Sequence, residues 1–222
     1  MKNLSPKSPA KLITSLVLLG FFAVFLMLFR VASSDSTRYI FLIWNLFLAA
    51  IPAFFAYWLA ERLKTKAWKS PKQIGLTVAW LLFLPNSFYI ITDYIHLREN
   101  FEADYMYDIV MFTVFVISGL VFGFMSLFMV HTQLLKRLKT NTSHKIIAGV
   151  LLACSFAIYL GRYSRWNTWD VIFKPAGLLF DVSDRVVNPA LHLLTYEVTG
   201  LFFATLGLIY LVIWQSVNYL QK

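Results

Sequence analysis

Repeated apolar runs constrain this chain more than any other feature. A helix rises about 1.5 Å per residue, so roughly 20 consecutive apolar residues cross the ~30 Å hydrocarbon layer of a bilayer. Five runs meet that length, at residues 12–29, 39–60, 74–92, 109–130 and 198–220. A sixth, 146–161, is short, and becomes long enough if Lys145 and Arg162 snorkel to opposite interfaces along their apolar stems. With 59% hydrophobic and only 14% charged residues, an ordinary soluble domain is excluded. The expected fold is an all-α polytopic membrane protein, one integral domain over residues 1–222. It has a tail at 1–11 and six transmembrane helices near 12–32, 39–60, 74–97, 107–130, 145–161 and 190–220.

The formal charge of +9 would suit nucleic acid if it were gathered on one surface, but it is spread over alternate connections. Lys2, Lys7 and Lys11 precede the first run; Arg62, Lys64, Lys66, Lys69 and Lys72 follow the second; Lys136, Arg137, Lys139 and Lys145 follow the fourth. The acids Asp93, Asp108, Asp170, Asp181, Asp184 and Glu197 fall in the remaining connections. This is the positive-inside pattern, which sets the basic loops against an anionic inner leaflet. It predicts a multi-pass protein with both termini cytoplasmic. Membrane lipids are then the expected partners, nucleic acid is not, and oligomeric state is unreadable. The first run could pass for a secretory signal followed by "VASSDS". It is too long for one, and Arg30 interrupts the approach to the cleavage site, so a retained span is expected. The lone Cys154 allows no intramolecular disulfide.

Unusual sequence collects in the connections read as external. Residues 171–180 are apolar but too short to span and are broken by Pro175 and Gly177, so the last external loop should hold an interfacial or re-entrant segment. The third run, "WLLFLPNSFYIITDYIHL", carries Pro85 and Asn86 just past mid-depth and Thr92, Asp93 and His96 near its outer end. On a continuous helix Tyr89, Asp93 and His96 share a stripe, with Asn86 on the same side. Pro85 removes a backbone donor, and Asn86 could simply satisfy the carbonyl this frees at Leu81.

Asp104 and Asp108 stand where acids suit the start of the fourth helix, and capping alone would account for Asp104. If the fifth helix persists, Arg162, Arg165, Trp166 and Trp169 fall on one face, although an aromatic belt with snorkelling arginines has the same composition. Asn188 and Pro189 read as an N-cap and first residue of a long last helix that would place His192, Tyr196 and Thr199 in line.

"LPNSFYIITDYIHL" and "GRYSRWNTWD" resemble the bacterial membrane family catalogued as domain of unknown function 1361. The resemblance covers most of the chain after the first span; it implies the plasma membrane of a bacterium and no activity. Its pattern singles out Pro85, Asn86, Tyr89, Thr92, Asp93 and His96, then Gly161, Arg162, Arg165, Trp166, Asn167, Trp169 and Asp170.

Three function classes stay open. The first is an enzyme acting on a lipid-linked or envelope substrate, with Asp93 and His96 as catalytic acid or base. Its ligand-binding groups would be Asn86, Tyr89, Thr92, Asp108, Arg162, Arg165, Trp166, Asn167, Trp169, Asp170 and His192, the two arginines gripping an anionic small-molecule ligand. The second is a small-solute transporter or binding protein using the Pro85 break. The third is an accessory protein that docks a partner through external aromatics. No cofactor is expected. Nor is a metal, since Asp93, His96 and His192 are a mixed and scattered ligand set.

Overall fold

The structure is a computed structural model that describes residues 9–34, 37–99 and 105–220. Asp104, most of the tail at 1–11 and the tip of the loop before the fourth span lie outside the described residues. Among the described residues the chain is helical throughout: α1 Pro9–Ser34, α2 Phe41–Arg62, α3 Pro71–Tyr89, α4 Tyr105–Leu135, α5 Thr140–Tyr163, α6 Asp170–Phe173, α7 Pro175–Val187 and α8 Leu193–Leu220. Six helices are long and apolar enough to cross a membrane: α1, α2, α3 with its extension, α4, α5 and α8. The expected all-α polytopic architecture is therefore present. The 171–180 stretch falls in two short helices, of 4 and 13 residues, and neither can cross.

The helices run up and down. One end of the bundle gathers Asp93, Asp108 and Asp170 and is called the acidic end; the other carries Arg62, Arg137 and Lys145 and is called the basic end. Helices α2, α3 and α4 pack on one another, α1 lies against α4, α5 against α3 and α4, and α8 against α5. Helix α3 and its extension press on α4 at Gly119 and Gly123, a small-xxx-small seam. A Cβ on Gly123 would sit 2.7 Å from the Phe88 ring, and one on Gly119 2.5 Å from Ile90. Without a hydrophobic drive between helices in lipid, this intimacy supplies dispersion contact. Buried polar groups are tied across the bundle: Ser87 donates to the Ala49 carbonyl at 2.7 Å, and the Trp80 indole N–H to Ser126 at 3.2 Å.

Local chemistry sets the helix ends. Ser70 is extended and Pro71 takes the first helical position of α3, where its missing N–H costs nothing. The short sixth run becomes a 24-residue helix, because α5 begins in the polar turn at Thr140 and continues through Arg162 to Tyr163.

Two expected helices differ. The third does not continue as α-helix past Tyr89; Ile90–Glu99 is a ten-residue 3-10 helix. Thr92 begins that change by donating its hydroxyl to the Tyr89 carbonyl at 2.7 Å, a local alternative to the α ladder. The last helix does not start at Pro189. Pro189–Leu191 is a single 3-10 turn, and α8 starts at Leu193. Asp184 draws this turn back to α7, accepting from the Asn188 amide at 2.7 Å and pairing with His192 Nε2 at 2.8 Å. His192 therefore faces α7 and does not extend the stripe of Tyr196.

Candidate functional site

A cavity of about 580 Å3 opens at the acidic end between α2, α3 and α5, with α6 and α7 closing part of its rim. Its deeper wall is apolar, built from Leu48, Leu81, Leu82, Val150, Ala153 and Ala157. Polar and aromatic groups crowd its outer part: Asn45, Asn86, Asp93 and His96, with Phe41, Trp44, Tyr89, Trp166 and Trp169. Cys154 also lines it.

The 3-10 geometry is what aligns the chemistry. With three residues per turn, side chains at i and i+3 eclipse, so Asp93 and His96 project from one face of the extension, one above the other. Asp93 is 1% exposed and accepts one hydrogen bond, from the Asn45 amide to Oδ2 at 2.8 Å. Its other oxygen bonds no described residue yet is not sealed from the cavity. No described arginine or lysine forms an ion pair with it. The imidazole of His96 meets Phe41 edge-on, ring centres 4.9 Å apart.

Asn86 bridges two segments. Its Nδ2 donates to the Phe83 carbonyl at 3.0 Å and to the Thr168 hydroxyl at 3.0 Å. A main-chain carbonyl can only accept, so the amide's orientation is fixed. The repair expected at the proline break thus reaches Phe83 and not the carbonyl of Leu81. The second bond anchors the loop after α5 over the cavity.

That loop is held in an unusual shape. Arg165 has φ 59°, the left-handed region, and the chain reverses there so that the Trp166 N–H returns to the Leu160 carbonyl at 3.1 Å. Helix α5 therefore ends before Arg165, and the expected single face of Arg162, Arg165, Trp166 and Trp169 does not form. Trp166 packs over Gly177, where a Cβ would stand 3.1 Å from the indole, and donates its N–H to Asp181 at 2.7 Å. Arg185 bonds Asp181 and also donates to Ser164 at 3.0 Å. Burial alone would raise the Asp181 carboxyl; the Trp166 and Arg185 hydrogen bonds and the Arg185 charge hold it below the usual range. Hydrogen bonds from Asn188 and His192 likewise hold Asp184 low.

Of the residues singled out in the sequence, Pro85, Asn86, Tyr89, Asp93, His96, Gly161, Trp166, Asn167 and Trp169 meet at this cavity. The others do not line it. Thr92 turns to its own backbone. Arg162 stands behind Tyr89, 3.5 Å from its hydroxyl, and Arg165 is exposed. Asp170 accepts the Asn167 backbone N–H at 2.8 Å, closing its own turn, with Lys174 at 3.8 Å. Asp108 lies across the bundle, in a bidentate pair with Arg30 at 2.6 and 3.2 Å. His192 pairs with Asp184. Among the described residues, no three His, Cys, Asp or Glu converge on a point that could hold a metal ion.

Sequence reading passed over Trp44 and Asn45. An amide inside the apolar run "FLIWNLFL" was the available signal, since polar groups at that depth are costly and tend to have a purpose.

A family model described as "Protein of unknown function (DUF1361)" matches residues 44–212, a segment that contains every cavity residue named above except Phe41. No curated protein and no solved structure matches the chain.

Proposed function

Taking as premise that the chain belongs to the DUF1361 family of proteins of unknown function, we propose that it binds the polar end of an amphiphile at the acidic-end cavity and acts on it there. The orientation that goes with this reading puts the acidic end outside a bacterial plasma membrane and both termini in the cytoplasm, following the distribution of basic loops. In that setting the apolar wall of Leu48, Leu82 and Val150 lies at hydrocarbon depth and Asp93 and His96 lie near the interface. The cavity's own gradient therefore matches a lipid-linked or other envelope substrate.

One observation carries the reading. Asp93 is almost fully buried, holds a single amide hydrogen bond and keeps an oxygen open to a cavity. A buried carboxylate with no cation in contact, on which the Arg162 charge acts only through space, is unfavourable unless something else uses it. Poised beside His96 on one 3-10 face, it is placed to accept or relay a proton from a bound hydroxyl or amine. His96 is the second proton carrier.

The test is lipid extraction from purified protein followed by mass spectrometry, alongside membrane abundance. Asp93→Asn and His96→Ala should keep near-normal abundance. Asp93→Asn should lose the co-purifying amphiphile, whereas His96→Ala should retain or accumulate it unprocessed. Loss of ligand only in proportion to loss of protein would sink the proposal. Orientation is checked in a Cys154→Ala background. A cysteine at Ser183 should react with an impermeant thiol reagent from outside and one at Thr140 only after permeabilisation; external labelling at Thr140 in sealed cells reverses the topology.

A further inference from the structure

Charge at the cavity differs from what a loop rich in arginine suggests. Among the described residues, Asp93 is the one formally charged residue lining it apart from the titratable His96, and none of the described lysines or arginines reaches the wall. Of the two arginines expected to hold an anion, Arg162 is spent behind Tyr89 and Arg165 points from an exposed turn. Lys174 stands near Asp170.

Hydrogen-bonding capacity points the same way. Asn86 has used both amide hydrogens, on the Phe83 carbonyl and the Thr168 hydroxyl, so the atom it has left to offer is its carbonyl oxygen. Asp93 offers a carboxylate oxygen that nothing described bonds, because Asn45 occupies the other. Both remaining functions accept. The surrounding faces of Trp44, Tyr89, Trp166 and Trp169 present negative π density, which attracts a cation.

We infer that the headgroup taken by this cavity carries a protonated amine, seated between the Asp93 carboxylate and the aromatic wall, with an apolar chain along Leu48, Leu82 and Val150. The inference rests on the amphiphile reading and sharpens it. An ammonium group supplies three donors to the waiting acceptors and gives the buried carboxylate its counter-charge. A phosphate or carboxylate head would set a second anion against the Asp93 carboxylate.

The experiment is native mass spectrometry of the full chain in nonionic micelles, at pH 7, with dodecylamine, dodecanol, dodecanoate and ethylamine as probes. Dodecylamine should occupy the protein at the lowest concentration, and Asp93→Asn should weaken it about tenfold or more, as expected for loss of a buried charge-assisted bond. Arg162→Gln should leave amine binding equal or tighter, because it removes a positive charge that acts on Asp93 without touching it.

Preference for dodecanoate, or loss of binding in Arg162→Gln, overturns the amine assignment. Equal binding of dodecanol and dodecylamine, indifferent to Asp93→Asn, overturns it too while leaving the amphiphile reading intact. Ethylamine binding as well as dodecylamine keeps the amine and removes the lipid. Occupancy by none of the four removes both. Should Asp93→Asn fail to accumulate, the probe ranking on the unaltered chain and the Arg162→Gln result decide the matter.

Discussion

Asp93 and Asp108 are buried at the same end of the same bundle, 1% and 5% exposed, and they have opposite surroundings. Asp108 opens α4 at the α1 seam, where Arg30 grips both its oxygens in a fork and Tyr107 donates to the Leu26 carbonyl at 2.7 Å. Asp93, on the 3-10 extension of α3, has one neutral amide and an open cavity. A carboxylate with a fitted guanidinium has its charge answered within the fold, whereas one answered only by an amide has it answered elsewhere. Burial does not distinguish the two. The partner does.

The basic end extends the contrast. A cavity of about 650 Å3 lies there between α5 and α8, close to the other in volume, but two helices alone form it. Its Tyr210, Trp214 and His144 meet His131 of α4 behind the wall: His131 Nδ1 is 2.7 Å from the Tyr210 hydroxyl, and the His131 ring lies 4.2 Å from that of Trp214 and 4.9 Å from that of His144. The atom of His131 left without a partner, Nε2, is sealed from solvent. The acidic-end cavity draws on five segments and leaves its acceptors open to the cavity.

The largest expected effect comes from breaking the answered charge. Asp108→Asn takes the forked carboxylate from the Arg30 guanidinium in the α1–α4 seam, and removal of one partner of a buried ion pair typically costs about 3–5 kcal/mol. The purified variant should melt far below the unaltered protein or fail to accumulate. A melting curve within a degree or two of the original would mean that Arg30 finds another anion and that the two aspartates are more alike than their geometry suggests.

Asn86→Leu comes next. It leaves the Thr168 hydroxyl and the Phe83 carbonyl without the amide and releases the loop after α5. The cost of such unsatisfied groups is about 1–3 kcal/mol. Abundance and melting temperature should fall moderately, and Trp166 and Trp169 should become more accessible to a soluble quencher. Lost ligand with unchanged melting would instead make Asn86 a contact residue alone.

The sequence carried the architecture because the bilayer does much of the selecting: an apolar run of the right length has few folds open to it. It also pointed to the correct end of the bundle for Asn86, Asp93 and His96. Assigning partners was harder. Arg30 reads only as an interruption before a would-be cleavage site, and Asp108 as a cap or a ligand, because nothing local announces a pair 78 residues apart. Asn45 escaped notice for the same reason, 48 residues from the carboxylate it serves. The change from α to 3-10 at Tyr89 and the left-handed Arg165 were also illegible. Neither has a glycine or a second proline to mark it.

The smallest expected effect is the most informative one. Asp93→Asn keeps the shape and replaces a carboxylate oxygen by an amide nitrogen. The Asn45 amide can still donate to the remaining side-chain oxygen, so the one hydrogen bond seen here survives. What disappears is a charge that no described cation pairs with, and losing a buried charge of that kind relieves desolvation. Stability without ligand should therefore change by less than about 1 kcal/mol, in either direction. Under the amine assignment, dodecylamine should raise the melting temperature of the unaltered protein and leave that of Asp93→Asn nearly unmoved, because only the former has differential affinity to couple to folding. The comparison breaks if Asp93→Asn falls as far as Asp108→Asn. Arg162, which stands behind Tyr89, would then be its counter-ion in function if not in contact, and Asp93 would be as structural as Asp108. Arg162→Gln should in that case restore the stability lost in Asp93→Asn, which the open-carboxylate reading does not allow.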